Sequence, residues 1–293
     1  MILLEKNGAV AEIAEMGAEM RAYRSADGKE RLWSGDPAVW AGVAPVLFPV
    51  IGCLKNGVVA IAGKEYAIPK HGFAKLMSFQ LATQKEDECA FVLEDTEETR
   101  AVYPFAFRLT VRHRMLEKGF STEYCVENCG DTPMPFLVGG HPGFVCPMNE
   151  GEAFTDYQVV FEKEEEGRNL LYAPGALMGG EEIVDMGADH RTVGLDYSIF
   201  DQKDTLVFAG LKSRSVKLVH KNTGKGIRFS FPESTVLAIW SKPNANAPYV
   251  CIEPWNGIPA MVEETGNFED KPYHIMLAPG QSFASTHQME VLD

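Results

Sequence analysis

The sequence predicts an all-β fold, a large antiparallel β-sandwich or barrel, and three observations carry that expectation. Short apolar runs recur along the whole chain. Turn signals rich in Gly, Asn, Asp and Pro separate them. No segment shows a sustained helical stripe, so the periodicity favours strands throughout.

The elements follow in order. Residues 2–4 and 9–13 flank Lys6-Asn7-Gly8 and read as strand, tight turn, strand. Residues 20–24 and 30–33 repeat the pattern around Asp27-Gly28, and 58–61 and 66–68 repeat it around Ala62-Gly63-Lys64. Further strands are expected at 79–82, 89–93, 107–114 and 120–127. In the third of these, Phe107, Leu109 and Val111 share one face and Arg108, Thr110 and Arg112 the other, a half-buried period of two. His113 shares the inward parity and reads as a core histidine. Residues 134–138 form another apolar run. The second half continues with 205–209, 216–220, 226–231, 236–240, 249–252, 274–277 and 282–289, with a hairpin turn at Asn222-Thr223-Gly224-Lys225. Residues 36–40 and 97–103 could each make a turn or two of helix. The charge run 162–166 reads as a solvated strand end or loop. No linker or low-complexity segment divides the chain, so a single domain over 1–293 is expected.

Composition excludes several classes of partner. Lys+Arg 27 against Asp+Glu 41 leaves a net charge of −14. Nucleic acid and anionic membranes both require a basic patch, so neither is an expected partner. No basic region leads into a long apolar run at the N-terminus, so neither a secretory leader nor a membrane span is expected. The six cysteines are scattered and read as reduced and mostly buried, which points to the cytoplasm.

Three places interrupt the strand pattern with Gly, Pro and a titratable side chain, the kind of local conflict that marks functional sites. They are Pro69-Lys70-His71-Gly72-Phe73-Ala74-Lys75, Gly139-Gly140-His141-Pro142-Gly143-Phe144, and Glu253-Pro254-Trp255-Asn256-Gly257 following the apolar run 249–252. Each places a side chain at an expected strand end. A carboxylate leaving a buried strand is a candidate general base, because burial raises its pKa toward neutrality. Histidine is its natural acid partner near neutral pH. Trp beside Glu is also a common composition for a carbohydrate site, with the sugar's apolar face on the ring. Trp255 is expected to line the pocket, whereas Trp33, Trp40 and Trp240 read as core. His190, His220, His274 and His287 receive no role.

In this order and spacing the three motifs resemble the aldose 1-epimerase (galactose mutarotase-like) family, with its LacX-like branch closest. The stretches Pro45-Val46-Leu47-Phe48-Pro49-Val50-Ile51-Gly52 and Leu277-Ala278-Pro279-Gly280-Gln281 support the resemblance, which spans essentially the whole chain. It implies a β-supersandwich that interconverts the α and β anomers of an aldose without a cofactor or metal. Carried over, the catalytic residues are Glu253, the base at the anomeric hydroxyl, His141, the acid at the ring oxygen, and His71, which hydrogen-bonds the sugar and helps stabilise charge as the ring opens. Lys75, Asp204, Trp255, Asn56 and Phe144 become the substrate-binding candidates, with Asp196 second to Asp204.

The chain departs from its sugar-phosphate relatives in two places. Lys75 stands where they commonly carry arginine, and Cys53 stands after the glycine of the Phe-Pro-x-x-Gly stretch, with Lys55 and Asn56 following. Lysine meets phosphate as a point charge without a bidentate fork, so an unphosphorylated sugar is favoured over a hexose 6-phosphate. Two other readings stay open. One is a non-catalytic sugar-binding protein on the same fold. The other is a metal site made by His71, His141 and Glu253. The active form is expected to be a monomer or a homodimer.

Overall fold

Two large antiparallel sheets lie face to face in the computed structural model, which describes residues 1–292. The nine-stranded sheet runs Thr192–Gly194, Tyr157–Phe161, Ser215–His220, Gly226–Ser230, Ser282–Leu292, Gly119–Asn128, Phe107–Leu116, Glu88–Glu94, Gln80–Gln84. The eight-stranded sheet runs Leu177–Ile183, Arg168–Ala173, Thr205–Ala209, Val236–Trp240, Tyr249–Asn256, Val138–Gly140, Val46–Leu47, with Gly143–Val145 also paired to Tyr249–Asn256. Smaller ribbons, among them Ile2–Lys6, Ala9–Ile13 and Met20–Arg24, flank these two. No helix among the described residues is long and apolar enough to cross a membrane.

The inner faces explain the stacking. Phe161 meets Phe208 across the sheets at 5.3 Å between ring centroids, and Phe144 meets Phe229 at 5.2 Å. Asn256 is a polar residue between the sheets, and its amide donates to Ser285 Oγ at 2.9 Å and Ser234 Oγ at 3.1 Å. On the outer face, Arg108 sits directly opposite both Glu94 and Glu127, Arg112 opposite Glu123, and Arg114 opposite Glu88. Each pair closes as an ion pair. Exposed pairs of this kind add little stability. Their value is in register, because a one-residue slip would turn the arginines toward the core.

His113 is the core histidine that its parity implied. Its Nε2–H donates to the Ala18 carbonyl at 2.8 Å, which leaves Nδ1 to accept from Thr122 Oγ1 at 3.0 Å. The neutral ring is thereby satisfied, and burial holds its pKa down to about 4. A depressed histidine pKa contributes stability above the unfolded value of 6.5 and loses it as pH falls toward 4. That share is about 3 kcal/mol. His113→Gln is therefore expected to be less stable at pH 7 and to lose less stability between pH 6.5 and 4 than the parent. Urea melts at a series of pH values check this, and parallel pH curves would contradict it.

Several expectations need correction. Residues 30–33 form only isolated bridges, and 36–40 make a turn without a helix, whereas Glu97–Val102 is helical. A second short helix, Tyr197–Lys203, and the strands Tyr157–Phe161, Arg168–Ala173 and Leu177–Ile183 were not anticipated. The last of these carries two glycines and two glutamates at an exposed sheet edge, so its sequence shows no apolar alternation. In the charge run, Glu165 is buried rather than solvated, and its carboxylate accepts from the backbone N–H groups of Lys212 and Ser213. All six cysteines are free, three of them buried, two half-buried and Cys129 exposed.

Candidate active site

The site is built on the outer face of the eight-stranded sheet. Along Tyr249–Asn256 the side chains alternate. Asn256 bonds to Ser285 of the facing sheet, so Val250, Ile252 and Pro254 share its inward direction. Tyr249, Cys251, Glu253 and Trp255 therefore point the other way. Glu253 does not stand at a strand end, as the sequence suggested: the strand continues through Pro254 to Asn256. Opposite it in the ladder is Ala238, whose small side chain leaves space beside the carboxylate.

The neighbouring strand explains how a central strand tolerates proline. Gly139 pairs with Trp255 and Gly143 with Cys251, and between them the chain leaves the ladder at His141-Pro142. Ile252 N–H reaches the Pro142 carbonyl at 3.2 Å across this gap. By alternation, the N–H that Pro254 lacks would have pointed into the same gap, so no ladder bond is forfeited. The break also lifts the His141 ring over the sheet, beside Glu253. Gly139 completes the arrangement, because a Cβ there would lie 2.9 Å from the Trp255 ring.

His71 arrives from a separate loop. Its backbone is left-handed at φ +64°, an uncommon state for a residue with a Cβ. It is locked there by a reciprocal pair with Gly52: His71 N–H donates to the Gly52 carbonyl at 2.9 Å, and Gly52 N–H donates to His71 Nδ1 at 3.1 Å. An accepting Nδ1 requires the proton of the neutral ring to sit on Nε2, so His71 offers an N–H donor. Asp204 and Ala176, which also line the site, have positive φ too, at +64° and +57°. Local strain gathered around one hollow suits a functional role.

These elements enclose a cavity of about 510 Å³. Glu253, His141 and His71 all line it, as do Lys75, Asp204 and Trp255. His141 Nε2 lies 3.2 Å from Glu253 Oε2, and the rings of His71 and His141 meet edge to face at 5.7 Å. Trp40 lies against His141 at 5.0 Å and Trp240 meets it edge-on at 5.6 Å, giving the cavity an aromatic wall. Three polar atoms in this group have no partner within the protein: His141 Nδ1, Glu253 Oε2 and Trp255 Nε1.

Burial dominates the electrostatics. Glu253 is 1% exposed, and loss of water pushes its carboxyl well above the ordinary value of 4.5. Lys70, Lys75 and the Trp255 indole N–H pull the other way, though the indole does not complete a hydrogen bond. Burial holds His141 down to about 3 and His71 well below 6.5, the latter aided by its histidine neighbour and by Lys75 and Lys70. The Lys75 ammonium is itself lowered, by burial and then by Lys70. Burial thus disfavours the charged form of each member of the Glu253–His141 pair.

Two expected binding residues lie elsewhere. Phe144 pairs with Val250 and so points inward, fully buried against Phe229. Asn56 is exposed in the turn Lys55–Gly57, outside the cavity. Asp196 caps the helix Tyr197–Lys203 by accepting from Ser198 N–H at 2.8 Å. Conversely, Trp40 and Trp240, read as core, line the cavity, and Lys70, Tyr172 and Thr205 join them. Lys70 precedes His71 in the same broken stretch and was within reach of that signal; Tyr172 was not, since its strand went unrecognised. Among the described residues, metal-ligand atoms gather from His141, Cys251 and Glu253, not from the pair of histidines.

A search for similar proteins adds three findings. The aldose 1-epimerase family model matches residues 1–290. The plasmid-encoded protein LacX of Lactococcus lactis subsp. lactis is 30% identical, over 100% of this chain and 99% of its own. Two solved structures superpose closely. A galactose mutarotase related enzyme from Lactobacillus acidophilus has a TM-score of 0.93 at 29% identity, covering 100% of this chain and 97% of its own. A galactose mutarotase-like protein from Lactobacillus casei has a TM-score of 0.92 at 26% identity, covering 100% of both.

Proposed function

The chain belongs to the aldose 1-epimerase family, and from that premise we propose that it interconverts the α and β anomers of an aldose by opening and reclosing the sugar ring. Glu253 as carboxylate takes the proton of the anomeric hydroxyl while His141 as imidazolium gives one to the ring oxygen. The bond from the anomeric carbon to the ring oxygen breaks, and the aldehyde forms. Rotation about the adjoining carbon–carbon bond and reclosure from the other face yield the other anomer, and the two protons return. No net proton is exchanged with solvent.

The observation that carries this reading is the 3.2 Å separation of His141 Nε2 and Glu253 Oε2 on the floor of a hexose-sized cavity. The two oxygens of a hemiacetal hang on one carbon, so an acid and a base side by side match them. Burial supports the direction of the step: proton transfer through the sugar converts a charged pair into the neutral pair that a dry site prefers. The Nε2–H of His71 serves as a hydrogen-bond donor to the sugar, and Trp40, Trp240 and Trp255 receive its apolar face. Six cysteines without a disulfide agree with a cytoplasmic reaction.

One observation favours a second reading of the substrate, a hexose 6-phosphate. Lys70 and Lys75 both line the cavity, and neither has an ion-pair partner among the described residues. Exchange NMR of anomeric protons across free and 6-phosphorylated aldoses tests both readings. Faster exchange of at least one sugar is expected; tight binding without acceleration would favour a sugar-binding protein instead. If phosphate is read here, Lys75→Ala should lower kcat/KM for the phosphorylated sugar by roughly 10- to 100-fold, the worth of one charge-assisted hydrogen bond. The free sugar should be affected far less. Equal effects on both would remove the phosphate reading.

A further inference from the structure

We propose that His141, Cys251 and Glu253 form a binding site for a thiophilic divalent cation, zinc(II) foremost, on the floor of the cavity. Metal binding stands independently of the epimerase reading; only its inhibitory consequence rests on that reading.

The ligand set follows from the strand. Cys251 and Glu253 are two residues apart on Tyr249–Asn256 and so project from the same face. His141 is brought over them where its own chain leaves the ladder. One ligand atom from each of the three lies within 4.8 Å of the others, and all three side chains are buried. Zinc bonds of about 2.0–2.3 Å in a tetrahedron place ligand atoms roughly 3.3–3.6 Å apart. His141 Nε2 and Glu253 Oε2 already stand 3.2 Å apart, and the Cys251 sulfur lies within 4.8 Å of a ligand atom of each. Glu253 Oε2 is buried with no hydrogen-bond partner within the protein, and a cation would satisfy this orphaned acceptor.

The donor types select the ion. One sulfur, one imidazole nitrogen and one carboxylate oxygen suit zinc, whereas magnesium and calcium require more oxygens than this floor supplies. A bound zinc with a thiolate and a carboxylate carries no net charge, which a buried site accepts. Three protein ligands leave a fourth position for water or a sugar oxygen. A cation here would take both members of the proposed acid–base pair out of use, so sugar turnover should stop while the metal is bound.

The test uses the full-length protein freed of metal with a chelator. Zinc is titrated against a competing chromophoric chelator, and cobalt(II) serves as an optical probe. One equivalent of tightly held zinc is expected, with a thiolate-to-cobalt charge-transfer band. Cys251→Ala should lose the band and weaken zinc binding at least 100-fold, and Cys251→Ser is the second variant should the first fold poorly. Anomerisation by the parent should be inhibited by zinc and unaffected by magnesium, each protein being compared with its own zinc-free rate. Absence of stoichiometric zinc, absence of the cobalt–thiolate band, or undiminished zinc binding by a folded Cys251 variant would overturn the proposal. Zinc binding by a protein that accelerates no sugar would instead count against the epimerase reading alone.

Discussion

Glu253→Gln is expected to slow anomeric interconversion by about 10²- to 10⁴-fold, the usual worth of a positioned general base. Glutamine keeps the shape of the side chain and its place opposite Ala238 but cannot accept the proton. Sugar affinity should change far less than turnover. The same substitution should also stabilise the protein. Burial raises the Glu253 pKa above its unfolded value, so the stability associated with its protonated form is complete below pH 4.5. That stability is lost as pH rises toward the folded value, because the unfolded chain ionises more readily. Glutamine has no such dependence, and Glu253→Gln should therefore unfold at a higher temperature than the parent at pH 7–8. A functional group held at a cost to the fold behaves this way; a purely structural carboxyl would lose stability on replacement. Turnover by polarimetry and thermal melts on the same preparation measure both halves.

Gly72→Ala should be the most damaging single methyl in the site. Gly72 has φ +74°, and a Cβ there would fall 1.9 Å from the Phe48 carbonyl oxygen. Left-handed backbone costs a residue with a Cβ about 1–2 kcal/mol by itself. The overlap is with backbone, so it cannot be relieved by turning a side chain. Moving the loop would break the two hydrogen bonds between His71 and Gly52 and displace the ring that they orient. A loss of at least 3 kcal/mol in urea unfolding is expected, the range of large backbone effects, together with lost turnover. A variant of parental stability would show that the loop is more compliant than its contacts imply.

The residues legible in the sequence were those where local rules fail. His71, His141 and Glu253 each interrupt a strand pattern with Gly or Pro, and all three line one cavity. The aromatic wall was hidden because Val236–Trp240 reads as an ordinary apolar strand. Only its pairing with Cys251 shows that Trp240 faces outward onto the site. Phe144 misled in the opposite way: adjacency to His141 suggested the pocket, while register opposite Val250 turns it into the core. Pro254 looked like the end of a strand, because the break that accommodates it lies in the neighbouring chain segment at His141-Pro142, 112 residues away by their numbers. Face and register depend on distant partners, and a single run of residues does not contain them.

A crystal structure of Glu253→Gln bound to an aldose that the parent turns over tests the central claim most directly. The anomeric oxygen is expected within about 2.6–3.2 Å of the residue 253 side chain and the ring oxygen within the same reach of His141. The sugar's apolar face should lie on the tryptophan wall. A sugar seated with its anomeric carbon away from both groups, or in a different cavity, would contradict the assignment of acid and base.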